Sequence, residues 1–517
     1  MSKKTFIGLT ILASSLSIAP ALATNDPIRV DGGLIANGAA DTNGVRTFKG
    51  IPYAAPPVGN LRWRSPQPVV AWTGVRRTDS PSKACTQMGY QPGSFYQREF
   101  YREPAPTSED CLYLNVWTPA RNAAERRPVL VWIHGGGFAQ GAGSTPSQGG
   151  EGLARKGVVV VTFNYRLGVF GLLAHPELTN ESPQHASGNY SLMDEIAALT
   201  WVHRNIAAFG GDPRHVTIFG QSAGSMSGAL LLASPLARDL FVGVVGHSGS
   251  FSEPYQTLRE AEQQGARLAQ KLGATSLSAL RATPADRLLQ NSDREFRPTI
   301  DGYVVPEDVY SVFARRQQLK VPVLIGWNAN ERGNYPQPKN LEEYRTFTER
   351  QYPSVVPDIM QAFPARNDEE ATSAYLRRQT DAVAAGMHLW ANMMSAAGAS
   401  TFLYCFDRTP PAREGETPLG PVHTAEIVYF RNMLNTVDRP WTSTDVKLSE
   451  TMSTYLANFA AKGDPNGDKI PGWPRYAPDR IMELGDHVGS IALPDAAHVA
   501  WFEEYFAKLH GRPSTHN

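Results

Sequence analysis

The chain has 517 residues, 49 Lys plus Arg balanced by 49 Asp plus Glu, and three cysteines. A formal net charge of zero with no basic stripe argues against a nucleic-acid partner, and no Cys/His cluster has zinc spacing, so neither a metal nor an organic cofactor is expected. The expected partner is a small molecule.

The N-terminus reads Met1-Ser2-Lys3-Lys4, then an apolar run from Phe6 to Ala19, then Ala21-Leu22-Ala23. These are the charged, apolar and small-x-small regions of a secretory signal, with cleavage expected after Ala23 and a periplasmic or secreted product. The run is short for a bilayer span and no other long uncharged apolar stretch follows, so no membrane association is expected after cleavage. Residues 24–517 read as one α/β domain, since short apolar runs alternate with helical stretches along the whole length, as a mainly parallel sheet flanked by helices requires.

The first core strand covers Val129 to His134 and leads into Gly135-Gly136-Gly137-Phe138. Glycine there lets backbone amides approach a substrate oxygen, and the alternatives are a flexible loop or a phosphate cradle. No Lys-Ser/Thr follows, which weighs against the cradle. Gly136 and Gly137 are therefore candidate oxyanion donors. A second strand spans Val158 to Asn164, and Ser191 to Phe209 places Leu192, Ile196, Leu199, Val202 and Ile206 at helical spacing.

The strand Val216 to Gly220 runs into Gln221-Ser222-Ala223-Gly224 and then a small, apolar helix. Gly-x-Ser-x-Gly arises often by chance in a glycine-rich chain, but a buried β-run before it and a helix after it make Ser222 the apex of a nucleophile elbow. Side chains two residues either side would collide with the neighbouring strand and helix, hence Gly220 and Gly224. The amide of Ala223, at the positive end of the helix, is the third candidate oxyanion donor.

In hydrolases built on this elbow an acid and then a His follow the serine. Further strands cover Phe241 to His247, Val321 to Gly326 and Thr401 to Asp407. The polar loop behind Val321–Gly326 carries Glu331, the candidate acid; Asp301 is the rival, but Asp301-Gly302 is explained by a turn. The Pro/Gly-rich loop behind Thr401–Asp407 delivers His423, the candidate base. His134 precedes the glycines, His203 lies on a helix, and His487, His498, His510 and His516 lie past any obvious core strand. Insertions at about 251–320 and 335–400 are expected to wall the pocket.

At these residues the chain resembles the type-B carboxylesterase and cholinesterase family of α/β-hydrolases, and within it the bacterial para-nitrobenzyl-esterase-like branch. The resemblance also rests on Phe48-Lys49-Gly50-Ile51-Pro52-Tyr53-Ala54-Ala55-Pro56-Pro57 with Leu61-Arg62-Trp63, and on Ser108-Glu109-Asp110-Cys111-Leu112-Tyr113-Leu114-Asn115-Val116-Trp117. Asn164-Tyr165-Arg166-Leu167-Gly168, Phe209-Gly210-Gly211-Asp212-Pro213 and Gly463-Asp464-Pro465-Asn466-Gly467 match as well. It implies an α/β-hydrolase fold, a Ser222-His423-Glu331 triad, an oxyanion hole from Gly136, Gly137 and Ala223, and a Cys85–Cys111 disulfide. Cys405 is left as a buried, unreactive thiol. Ser248 matches a position that supports the acid, or is a turn serine.

Two departures stand out: Arg332 where the family usually has Gly after the acid, and Thr424 where Gly often follows the His. The implied activity is hydrolysis of small to medium carboxylic esters through an acyl-enzyme, by a monomer. Phe138, Trp327 and Tyr335 are pocket candidates because they adjoin the catalytic loops. Tyr90, Phe95, Tyr96, Phe100 and Tyr101 between the cysteines include no Trp, which disfavours a choline ester. Arg332 could meet an anionic ester of the polyanionic or fumonisin-like mycotoxin type, or form a structural ion pair. An amidase or thioesterase would use the same triad, and a non-catalytic binding protein on this fold would lack the nucleophile.

Overall fold

The computed structural model describes residues 27–36, 43–90, 93–99, 106–292, 296–333 and 336–511; the expected signal segment, Phe100, Tyr101, Tyr335 and His516 lie outside them. Ten strands form the central sheet: β1 (Arg46–Pro52), β2 (Tyr113–Thr118), β3 (Arg127–Ile133), β4 (Val159–Phe163), β5 (Gly211–Gln221), β6 (Gly243–His247), β7 (Val323–Asn328), β8 (Thr401–Phe406), β9 (Arg480–Leu484) and β10 (Val488–Ala492). Their spatial order is β10-β9-β8-β7-β6-β5-β3-β4-β2-β1. The pairings from β4 through β9 are parallel. The edges turn antiparallel, at β4-β2-β1 on one side and β9-β10 on the other.

The interior strands are continuous apolar runs because helices cover both faces. Alternate residues divide between two cores: Val129, Val131, Ile133, Ile218, Val323 and Ile325 on one face, Leu130, Trp132, Phe219, Leu324, Phe402 and Tyr404 on the other. The first face is covered by α1 (Tyr190–Asn205), α2 (Ala223–Ala233), α3 (Leu258–Leu272), α4 (Asp368–Ala396) and α6 (Ala496–Leu509), with α5 (Ser443–Lys462) on the second. The expected helix over Ser191–Phe209 is α1 continued by a 3-10 turn at Ile206–Phe209. The described part of the second expected insertion is largely helical, whereas helices alternate with loops in the first.

Four strands of the sheet carry no clear strand signal in the sequence. β1 and β2 lie inside the two N-terminal signatures, and β9 and β10 lie in the C-terminal stretch, past the last obvious core strand. The β9 sequence Arg-Ile-Met-Glu-Leu lacks a continuous apolar run, yet pairing with β8 buries Ile481, Met482 and Leu484. No helix among the described residues is long and apolar enough to cross a membrane.

Cys85 and Cys111 are disulfide-bonded, with Cα atoms 5.0 Å apart. Cys405 is a buried free thiol whose pKa burial pushes well above the ordinary value.

Candidate active site

The elbow follows from a steric requirement on both sides of Ser222. A Cβ on Gly220 would lie 2.4 Å from the Gly224 carbonyl, and one on Gly224 would lie 2.1 Å from the Ile133 oxygen. Ser222 itself takes φ 57° and ψ −122°, a conformation that costs a non-glycine residue about 1–3 kcal/mol. Its N–H donates to the His247 carbonyl at 2.7 Å, which ties the strained residue to the end of β6. Ala223 opens α2, so its amide has no acceptor within the helix and adds to the positive end of the dipole.

The glycine loop lies against this elbow. A Cβ on Gly135 would sit 2.5 Å from the Gln221 oxygen and 3.2 Å from the Ser222 Cβ, and one on Gly136 would sit 2.1 Å from the Gln140 oxygen. Gly136 and Gly137 take φ 112° and 63°, and their amide N–H groups meet no acceptor among the described residues. The loop is braced from outside: Gly168 N–H donates to the Phe138 carbonyl at 2.7 Å, and Arg297 Nη1 to the Gly137 carbonyl at 3.2 Å. His134 stacks on Tyr165 at 4.3 Å, and burial pulls its pKa down to about 4, so it is a neutral packing residue.

The candidate acid and candidate base meet across the ends of β7 and β8. Glu331 Oε2 lies 2.5 Å from His423 Nδ1, while its Oε1 accepts from the Asn328 backbone N–H at 2.7 Å. The Asn328 side chain donates to the Val422 carbonyl at 2.8 Å and to Glu426 Oε2 at 2.5 Å, fastening the acid loop to the histidine loop. On the far side of the ring, His423 Nε2 is 2.9 Å from Gln221 Nε2, so the imidazole sits beside the elbow. The Ser222 hydroxyl makes no hydrogen bond among the described residues.

Burial opposes charge on His423, but Glu331, joined by Glu426, outweighs it and raises the pKa above its ordinary value. Glu426 is fully buried, and burial together with the nearby Glu331 carboxylate lifts its pKa to about 7.

The rival residues sit elsewhere. Asp301 Oδ1 accepts the Tyr303 and Val305 amides at 3.0 and 2.9 Å, as the turn reading requires. His498 pairs with Asp381 on α4 at 2.6 Å and His510 with Asp308 at 3.1 Å, whereas His203 is exposed. Ser248 takes φ 53° after β6 and donates its N–H to the Gly326 carbonyl, but its buried hydroxyl has no partner among the described residues and does not bond Glu331. Trp327 and Phe138 are buried in the core. Arg332 is half-buried, and its guanidinium has no carboxylate partner among the described residues. Gln221, Asn328 and Glu426 have no sequence signal beyond lying within a few residues of Ser222, Glu331 and His423.

The family model described as the carboxylesterase family matches residues 29–493. A fumonisin B1 esterase from Sphingopyxis macrogoltabida is 37% identical over 94% of this chain and 91% of that protein. A phenmedipham hydrolase from Pseudarthrobacter oxydans is 31% identical, over 87% of this chain and 93% of that protein. Among solved structures, a thermophilic PNB esterase superposes with a TM-score of 0.81 at 30% identity, covering 93% of this chain and all of that one.

Proposed function

The chain belongs to the carboxylesterase family and is a carboxylic ester hydrolase, and we propose that it acts through Ser222, His423 and Glu331 by an acyl-enzyme. The observation that carries the triad is the 2.5 Å contact of Glu331 with His423 Nδ1, on a ring whose other nitrogen lies beside the elbow. With Nδ1–H given to Glu331, Nε2 is free of a proton and takes the one on Ser222 Oγ as that oxygen attacks the ester carbonyl. Glu331 stabilises the imidazolium, which then protonates the leaving alcohol. Water, activated by the same base, releases the acid.

Oxyanion charge falls to the Gly136, Gly137 and Ala223 amides, each worth on the order of 10² to 10³ in rate. The unaccepted N–H groups of the two glycines support that assignment. Small to medium carboxylic esters are the proposed substrates. The Cys85–Cys111 disulfide supports export through the segment 1–23.

A second reading of the substrate is favoured by Arg332 and by the likeness to a fumonisin B1 esterase. A half-buried guanidinium without a carboxylate partner, next to the acid, suits a substrate carrying free carboxylates. The test is turnover of neutral p-nitrophenyl esters and of polycarboxylate esters by wild type, Ser222→Ala and Arg332→Ala. Ser222→Ala should lose several orders of magnitude on every ester; retained turnover would remove the triad. Arg332→Ala should lose kcat/KM selectively on the anionic esters, and an equal loss on both classes would remove the anion role. Amide and thioester analogues in the same assay rank those chemistries against esters.

A further inference from the structure

Gln221 occupies the variable position directly before the nucleophile and is 4% exposed. Its side chain spans two parts of the site. Nε2 is 2.9 Å from His423 Nε2, and Oε1 lies beside the glycine loop, 2.9 Å from where a Cβ on Gly135 would stand. The nitrogen it touches is the one that must receive the Ser222 proton, while the Ser222 hydroxyl itself is unengaged.

Resting on the triad reading above, we propose that Gln221 is the positioning residue of the catalytic base: its amide N–H caps the Nε2 lone pair of neutral His423 in the resting enzyme. A donor on that lone pair is satisfied only while the ring is unprotonated at Nε2, so the contact favours the form that can act as a base. The ring is thereby held at both nitrogens, by Glu331 and by Gln221, and its plane is set before substrate arrives. The amide N–H gives up that lone pair when the Ser222 hydroxyl donates there, and once acyl transfer makes the imidazolium the same amide, turned over, can offer Oε1 to Nε2–H.

A carboxylate could perform only the second of these roles. The charged and titratable groups that already face the ring are Glu331 on Nδ1 and Glu426 from the histidine's own loop. A third carboxyl on Nε2 would hold the imidazolium before reaction begins.

The experiment is the pH profile of kcat/KM on a neutral p-nitrophenyl ester for wild type, Gln221→Glu and Gln221→Met, with Ser222→Ala alongside. Gln221→Glu should move the acid limb up by about one unit or more, a tenfold loss below the limb, and should lower the alkaline plateau as well, since a carboxylate cannot cap the neutral ring. Gln221→Met, which matches the shape without donor or acceptor, should lower kcat about tenfold with little change in KM and move the limb up by less than Gln221→Glu does. A Gln221→Glu limb superposed on wild type, or a Gln221→Met kcat equal to wild type, would overturn the inference. If Gln221→Glu fails to fold by thermal melting, the Gln221→Met result decides. Turnover surviving in Ser222→Ala would instead overturn the triad on which the inference stands.

Discussion

Asn328 and Glu426 are joined by a 2.5 Å hydrogen bond in the buried wall between the acid and histidine loops. The same asparagine holds Glu331 through its backbone N–H and Val422 through its side chain, so one residue sets the approach of the proposed acid to the proposed base. Asn328→Ala leaves the Val422 carbonyl and Glu426 Oε2 without this donor. Each buried orphan costs about 1–3 kcal/mol. A 1 Å displacement of His423 could cost on the order of 10² in kcat. Urea unfolding and steady-state kinetics should therefore both show losses; wild-type kcat in a folded Asn328→Ala protein would show that the fastening does not align the pair.

Gly136→Ala should abolish most activity without unfolding the chain. At φ 112°, with the added Cβ 2.1 Å from the Gln140 oxygen, the loop must shift and carry its amide out of line. The expected loss in kcat is about 10²–10³, with KM little changed. Near-ultraviolet circular dichroism checks the fold, and an active Gly136→Ala enzyme would place the oxyanion donors elsewhere.

The acid limb of kcat/KM should lie above the ordinary histidine value of 6.5, because Glu331 and Glu426 raise the pKa of His423 despite its burial. In the proposed mechanism catalysis needs the neutral ring, so activity should fall as pH drops through that raised value. Glu331→Gln removes the larger electrostatic contribution and should shift the limb downward while lowering the plateau. A limb that stays put in Glu331→Gln would mean that another group titrates there.

Glu195, bonded to Ser227 on α2, supplies a stability signal. It is fully buried, accepts the Ser227 hydroxyl at 2.8 Å, and burial raises its pKa from 4.5 to about 8. Between those values the folded chain keeps a proton that the unfolded chain releases, so stability is lost as pH rises through the window, by up to about 1.4 kcal/mol per unit. Glu195→Gln should remove this loss. Thermal unfolding from pH 5 to 9 should show the variant gaining on wild type toward alkaline pH, and parallel curves would refute the assignment.

The order of the site along the chain is legible in the amino-acid sequence. Gly220 and Gly224 announce a turn where backbone meets backbone, Gly136 and Gly137 a loop that must lie close to something, and the apolar runs before Glu331 and His423 the strand ends that present them. Those are local signals, because glycine and continuous β-branched runs act through neighbouring backbone and burial. β9 is not legible, since its Arg and Glu hide a strand whose burial exists only once β8 is beside it. Gln221, Asn328 and Glu426 are not legible either, because a polar residue's role depends on which partner folding brings within about 3 Å. Glu426 lies 98 residues from Asn328, and Gln221 lies 202 from His423. Sequence alone therefore determined the elbow, the candidate donors and the succession of candidate serine, acid and histidine. Tertiary structure alone decided what grips each of them, since a hydrogen bond between distant loops is a property of their packing, with no trace in the spacing of either.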